Sequence, residues 1–204
     1  CFEGASGAGK TTVAKFLSEN YDFGVIPEVN LLFERKPGEE SQFWYFERQI
    51  ERWQRAAAAA RAKSFETVIL DGDVFQPVWY NWSYDFDFGE SYAEITNFYR
   101  YAINKGDIQF PDKYFIFTLE ETELRKRKEQ DAARTRKNFE RHLRFIQPQN
   151  AYFDFVKSLD PDLVEFIDNW ESVEVTSGKI VNSPRARFAN KPSSSEIFEA
   201  IENW

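Results

Sequence analysis

Residues 4–11 read Gly4-Ala5-Ser6-Gly7-Ala8-Gly9-Lys10-Thr11, a complete G-x-x-x-x-G-K-[ST] loop. Before it stands the strand-like Cys1-Phe2-Glu3, and after it Thr12–Leu17 place Val13, Phe16 and Leu17 on one helix face. Strand, glycine-rich turn and helix start together leave the chain few folds. The glycines let the backbone curl into a nest of N–H groups, and the helix adds its positive end, so the feature binds phosphate. Gly4, Ala5, Ser6, Gly7, Ala8, Gly9, Lys10, Thr11 and Thr12 are therefore expected to hold a nucleoside triphosphate. Lys10 reaches its terminal phosphates and the Thr11 hydroxyl holds Mg2+.

The rest of the chain alternates apolar runs bounded by turn residues with helical periodicities, the pattern of a parallel sheet with crossover helices. Strands are expected at the start and over Phe23–Pro27, Thr67–Leu70, Tyr114–Leu119 and Leu163–Ile167, five in all. Only three residues precede Gly4, fewer than the usual strand of about five or six, so the chain is expected to begin inside its own sheet. Helices are expected after the phosphate loop and over Ser41–Lys63, Tyr92–Ala102, Glu121–Arg134, Asn138–Leu159 and Ser195 onward, with Pro148 interrupting the fourth of these ranges. Residues 172–192, with Gly178, Pro184 and Pro192, read as a hairpin or loop. Residues 1–204 make one α/β domain large enough to bury a sizeable core.

Three acids fall at strand ends. The second strand closes on Pro27-Glu28, and the apolar Val68-Ile69-Leu70 runs into Asp71-Gly72-Asp73. Ligands of open parallel sheets bind beyond the carboxyl ends of the strands, so these acids are expected at the crevice of the phosphate loop. Asp71 suits orientation of Mg2+, and either Glu28 or Asp73 can position or deprotonate an acceptor hydroxyl. A basic run, Arg125 to Arg144, stands out in an otherwise acidic chain. Its Arg134 and Arg136 are the first candidates to steady charge on a transferring phosphoryl group, followed by Arg125 and Lys128; the competing role for each is a solvated helix face paired with Glu121, Glu123, Glu129 and Asp131. Aromatics gather near the acids, where Trp44 with Gln42 or Gln49 can frame a flat substrate.

Composition excludes several classes. A net charge of −8 disfavours long nucleic acid as a partner, and no apolar run approaches the roughly 20 residues that span a bilayer. One cysteine and one histidine, His142, argue against a zinc site, and the lone cysteine fits a reducing, cytoplasmic compartment. A homodimer stays open. Asn104-Lys105-Gly106-Asp107 imitates a guanine-reading motif, but a helical pattern precedes it, so it reads as a helix C-cap. Asp87-Phe88-Gly89 imitates a protein-kinase triplet without the signatures that accompany it.

Phe2-Glu3-Gly4 through Thr11 is similar to the opening of the deoxyribonucleoside and thymidylate kinases. Pro27-Glu28 and the aromatic, Gln-bearing helix after it resemble the acid and base-pocket helix of the deoxyribonucleoside kinases, and Leu70–Asp73 resembles the D-x-D of the nicotinamide riboside kinase type. This likeness to P-loop kinases of nucleosides and nucleotides covers residues 1–145. It implies a three-layer P-loop NTPase fold with sheet order 2-3-1-4-5 and an arginine-rich lid near residues 125–144. It also implies ATP and Mg2+ as cofactors and γ-phosphoryl transfer to a nucleoside-like or other small acceptor. Where those nucleoside kinases carry an arginine after the third strand, Gly72 stands here, which leaves the acceptor open. The alternative is a regulatory P-loop ATPase or GTPase acting through a protein partner; no glutamate directly follows Asp71 to activate water.

Overall fold

The computed structural model describes residues 1–36, 38, 43–84, 91–130, 139–184 and 191–204, apart from the side chains of 82–84 and 141. In chain order these form β1 (Phe2–Gly4), α1 (Lys10–Asn20), β2 (Phe23–Ile26), α2 (Val29–Leu32), α3 (Trp44–Arg61), β3 (Thr67–Leu70), α4 (Gln76–Tyr84), α5 (Tyr92–Lys105), β4 (Tyr114–Thr118), α6 (Glu121–Gln130), α7 (Phe139–Arg144), α8 (Ile146–Leu159), β5 (Val164–Asp168), α9 (Val173–Val181) and α10 (Ser194–Glu202). Every strand pair is parallel, so each connection crosses over, and helices supply the crossovers.

The expected continuous five-stranded sheet is found as two pieces: a three-stranded sheet ordered β1-β4-β5 and a two-stranded sheet of β2 and β3. A single parallel bridge, Phe2 to Asp71, sets β3's end beside β1, and the Gly72 N–H donates to the Phe2 carbonyl at 3.0 Å. The physical reason is register. Phe2 stands level with Asp71, so β3 meets β1 at this bridge just past its end, while Thr67–Leu70 pair with Phe23–Ile26 on the other edge.

The strands are covered on both faces. Along β4, Tyr114 and Ile116 enter one buried cluster with Trp79, Tyr99 and Phe153, while Phe115 and Phe117 enter a second with Val13, Leu17 and Ile180. This alternation is the period-2 signature of a strand buried between two helical layers.

Helix boundaries follow local chemistry. Ser91 and Glu94 form a capping box at the start of α5, and Gly106 ends that helix in the left-handed conformation (φ 76°). The N-K-x-D imitation is thus a helix terminus. Ser193 and Glu196 cap α10 in the same way. Two expectations are corrected here. Residues 173–181, expected in a loop or hairpin, form α9, because the Ser172 side chain accepts from the Val175 N–H and starts a helix that tolerates Gly178. Pro148 does not interrupt its helix: the break falls at Phe145, and Pro148 lies in the first turn of α8, where a missing N–H costs no intrahelical bond. The start at Ser41 and the Asp87-Phe88-Gly89 triplet lie outside the described residues. Among the described residues no helix is long and apolar enough to cross a membrane.

Candidate functional site

The phosphate loop is shaped by glycines that no other residue replaces. Gly4, Gly7 and Gly9 hold φ values of 138°, 93° and 97°, in the region L side chains avoid. Space closes the matter at two of them: a Cβ on Gly4 would stand 2.4 Å from the Phe117 carbonyl oxygen, and one on Gly9 2.5 Å from Asn169 Nδ2. Inside the loop the Ala8 N–H donates to the Ala5 carbonyl at 3.1 Å, and Lys10 Nζ donates to the carbonyls of Gly4 (2.6 Å) and Ala5 (3.3 Å). The ammonium is thereby folded over the mouth of its own loop.

Asn169, directly beyond β5, fastens the loop from outside. Its Nδ2 donates to the Ala8 carbonyl at 2.5 Å, its Oδ1 accepts from Thr176 at 2.7 Å, and its own carbonyl accepts from Arg127 Nη2 at 2.8 Å. Glu3 secures the other end. One carboxylate oxygen accepts from the Gly4 N–H (2.8 Å) and from Gln149 Nε2 (3.1 Å), and the other accepts from the Asp73 N–H (2.9 Å). Burial pushes the Glu3 carboxyl up to about 7, against the pull of Lys10.

Around this loop opens a cleft of about 440 Å3. Loop residues and Thr11 and Thr12 line its floor; Glu28, Leu31, Gln76, Tyr80 and His142 line it as well, as do Arg127, Asn169, Glu171 and Val173. Glu28 and Leu31 follow β2 and Gln76 and Tyr80 follow β3, whereas Arg127 and Asn169 follow β4 and β5, so the cleft has two ends with the phosphate loop between them.

Asp71 meets the loop helix. Its Oδ2 accepts from the Thr11 hydroxyl at 2.8 Å, and its Oδ1 is buried with no hydrogen-bond partner. An orphaned carboxylate oxygen beside a hydroxyl and the phosphate nest is a donor set that fits a hard divalent cation. Glu28 stands close by: a Cβ on Gly72 would touch its Cγ at 3.5 Å.

Asp73 goes elsewhere, which corrects the expectation that it faces the crevice. Gly72 turns the chain with φ 89°, and Asp73 is wholly buried beneath the strand ends. Its oxygens accept from the Phe75 N–H (3.1 Å), Tyr114 OH (2.9 Å) and Trp79 Nε1 (3.2 Å). Burial raises its pKa, opposed by those same bonds. Gln49 is buried too and accepts from Arg52 at 2.6 Å instead of lining the cleft. Trp44 carries the guanidinium groups of Arg35 and Arg48 against its ring, at 5.6 and 5.9 Å, and lies outside the cleft lining. Arg125 is drawn onto the exposed surface by Glu121 and Glu140, which hold its guanidinium above the usual range. Arg134 and Arg136 lie outside the described residues.

The family model for an AAA domain matches residues 1–152. The chain belongs to this AAA-domain family. No curated protein matches its sequence. Among solved structures, deoxyadenosine kinase from M. mycoides, solved with bound dATP, has a TM-score of 0.54 at 19% identity, over 89% of this chain and 96% of that one. Thymidylate kinase from Candida albicans has a TM-score of 0.59 at 14% identity, over 88% of this chain and 87% of that one. The chain therefore has a P-loop NTPase-like α/β fold with parallel strands, a fold it shares with these two solved kinases.

Several lining residues escaped the sequence. Asn169 sits just past the fifth strand, where the rule of carboxyl ends points, and Glu3 precedes the loop directly. Gln76 and Tyr80 carry no local signal: α4 brings them in, and the Tyr45 hydroxyl donates to Gln76 Oε1 at 3.2 Å. His142 borders the cleft as well.

Proposed function

We propose that the chain is an ATP- and Mg2+-dependent kinase that transfers the γ-phosphoryl group to a hydroxyl of a nucleoside-like or other small acceptor. The observation that carries this reading is the two-ended cleft lined by the phosphate loop, Thr11 and Glu28, with Asp71, buried and outside that lining, accepting from the Thr11 hydroxyl. Loop N–H groups and Lys10 bind the β- and γ-phosphates, and Arg127 with Asn169 borders the side on which the rest of the nucleotide lies. Thr11 Oγ1 and Asp71 Oδ1 would hold Mg2+, which supplies charge neutralisation between the phosphates. Glu28 accepts the acceptor hydroxyl's proton as the oxygen attacks phosphorus, and Gln76 and Tyr80 orient the acceptor. Residues 125–144 act as the lid, with Arg134 and Arg136 as its charge-steadying arginines.

The kinase likeness of the solved structures supports the reaction class, and the dATP bound to the M. mycoides deoxyadenosine kinase supports an adenine nucleoside triphosphate as donor. The deciding measurement is ADP release with and without a panel of nucleosides, sugars and vitamins. Release that depends on one acceptor is expected. Equal release without any acceptor would replace this reading with a regulatory ATPase.

A further inference from the structure

The backbone that carries Glu28 and Asp71 converges on one side chain. Arg52, in the middle of α3, is 1% exposed. Its Nε donates to the Pro27 carbonyl at 2.7 Å, and its Nη2 donates to the carbonyls of Asp71 at 2.7 Å and Gly72 at 3.1 Å. Nη1 donates to Gln49 Oε1 at 2.6 Å. Three main-chain carbonyls from the ends of two strands thus end on one guanidinium. From the other side of the same turn, Glu3 takes the Asp73 N–H. The Asp71-Gly72-Asp73 turn is gripped by a buried cation on its carbonyls and a buried carboxyl on its N–H.

Arginine suits this position because its planar fork presents fixed, divergent donors that a lysine ammonium cannot reproduce. Such a group is costly to bury, and Glu28, Asp71 and Asp73 surround it with compensating charge. Arg52 does not line the cleft. Its effect on chemistry must pass through the residues it holds.

We propose that Arg52 is the positioning residue of the site, setting Glu28 and Asp71 at a fixed separation by holding the Pro27 and Asp71 carbonyls on one guanidinium. This rests on the phosphotransfer reading above. Glu28 follows Pro27 directly, so a shift of the β2 end moves the acid that engages the acceptor; a shift at Asp71 moves the oxygen offered to the metal. The phosphate loop has its own fastenings, from Asn169 to Ala8 and from Lys10 to Gly4. Loss of Arg52 therefore separates phosphate binding from catalysis.

Arg52→Met and Arg52→Lys test this in the full chain. For each, ATP affinity is titrated without Mg2+, then with Mg2+, and acceptor-dependent turnover is measured. Arg52→Met is expected to keep Mg2+-free ATP affinity, to lose most of the tightening that Mg2+ brings, and to lower kcat about a hundredfold, the cost of a misplacement near 1 Å. Arg52→Lys recovers part of both losses. Unchanged Mg2+ tightening and kcat would overturn the proposal, and so would an equal fall in Mg2+-free affinity, which marks general damage. Should Arg52→Met fail to fold, Arg52→Lys decides the question by the same two ratios. A wild type with no acceptor-dependent turnover sinks the kinase reading, while the Mg2+ dependence of ATP affinity still judges Arg52.

Discussion

The phosphate loop and α6 border the same cleft and are built in opposite ways. The loop is held by directional bonds, from Asn169 to Ala8, from Lys10 to Gly4 and from Gly4 to Glu3, around left-handed glycines. On α6 the charges face solvent: Arg125 pairs with Glu121 and Glu140, Lys126 with Glu123, and Lys128 with Glu140. Arg127 is the residue of that run that reaches inward, to the Asn169 carbonyl. A phosphate nest works only if its N–H groups are aimed in advance, so it is made of groups that cannot re-pair. Exposed ion pairs exchange partners cheaply, which suits an element that changes its contacts when ligand arrives.

The largest effect that would break this contrast is at Lys10. Lys10→Ala is expected to cut turnover about 10²- to 10³-fold, the scale of losing one charge-stabilising donor, and retained ATP turnover would sink the phosphotransfer reading. Next comes the pair of acids on either side of Gly72. Asp73→Asn should cost about 2–3 kcal/mol in denaturant unfolding, because it sets an amide against the donors of Phe75, Tyr114 and Trp79. Asp71→Asn should instead lower turnover and Mg2+ dependence with little change in stability. Interchanged results would put the metal-side acid at Asp73.

A smaller loss is expected at the loop's outer fastening. Asn169→Leu should raise the KM for ATP about tenfold, the value of one hydrogen bond, and leave kcat nearly intact. The fourth effect is a pH slope. Glu3 goes from 4.5 unfolded to about 7 folded, so the folded state holds the extra proton between those values. Its contribution to stability is full below pH 4.5 and is lost as pH rises through about 7. Unfolding free energy measured across that window should show the slope, and Glu3→Gln should flatten it. Least of all, Arg125→Ala should leave melting temperature and turnover unchanged; a large fall in either would show that Arg125 does more than hold an exposed pair.

Some of this was legible from residue order because it is local. A nest needs glycines at fixed offsets, and a strand buried on both faces needs an unbroken apolar run such as Tyr114–Thr118. The helices expected from Tyr92 and Ser195 begin at Tyr92 and Ser194, where Ser91 with Glu94 and Ser193 with Glu196 cap them locally. What misled was also local. Gly178 and the nearby prolines suggested a loop, while Ser172 already capped a helix. The sheet is in two pieces that meet at the Phe2–Asp71 bridge, a long-range register that no single segment encodes.

By itself the sequence determined the phosphate loop, the parallel strand–helix alternation and the placement of acids at strand ends, since each depends on backbone preference and side-chain period over a few residues. Only the tertiary structure decided where each acid goes. Asp71 and Asp73 are two residues apart and chemically alike, yet the left-handed turn at Gly72 delivers one to the Thr11 hydroxyl and the other to three buried donors. The same holds for Arg52 and Asn169, whose partners Pro27, Asp71 and Ala8 lie far off in the sequence. A charged or amide side chain declares its chemistry in the sequence, but its burial and its partners exist only once the chain has closed around it.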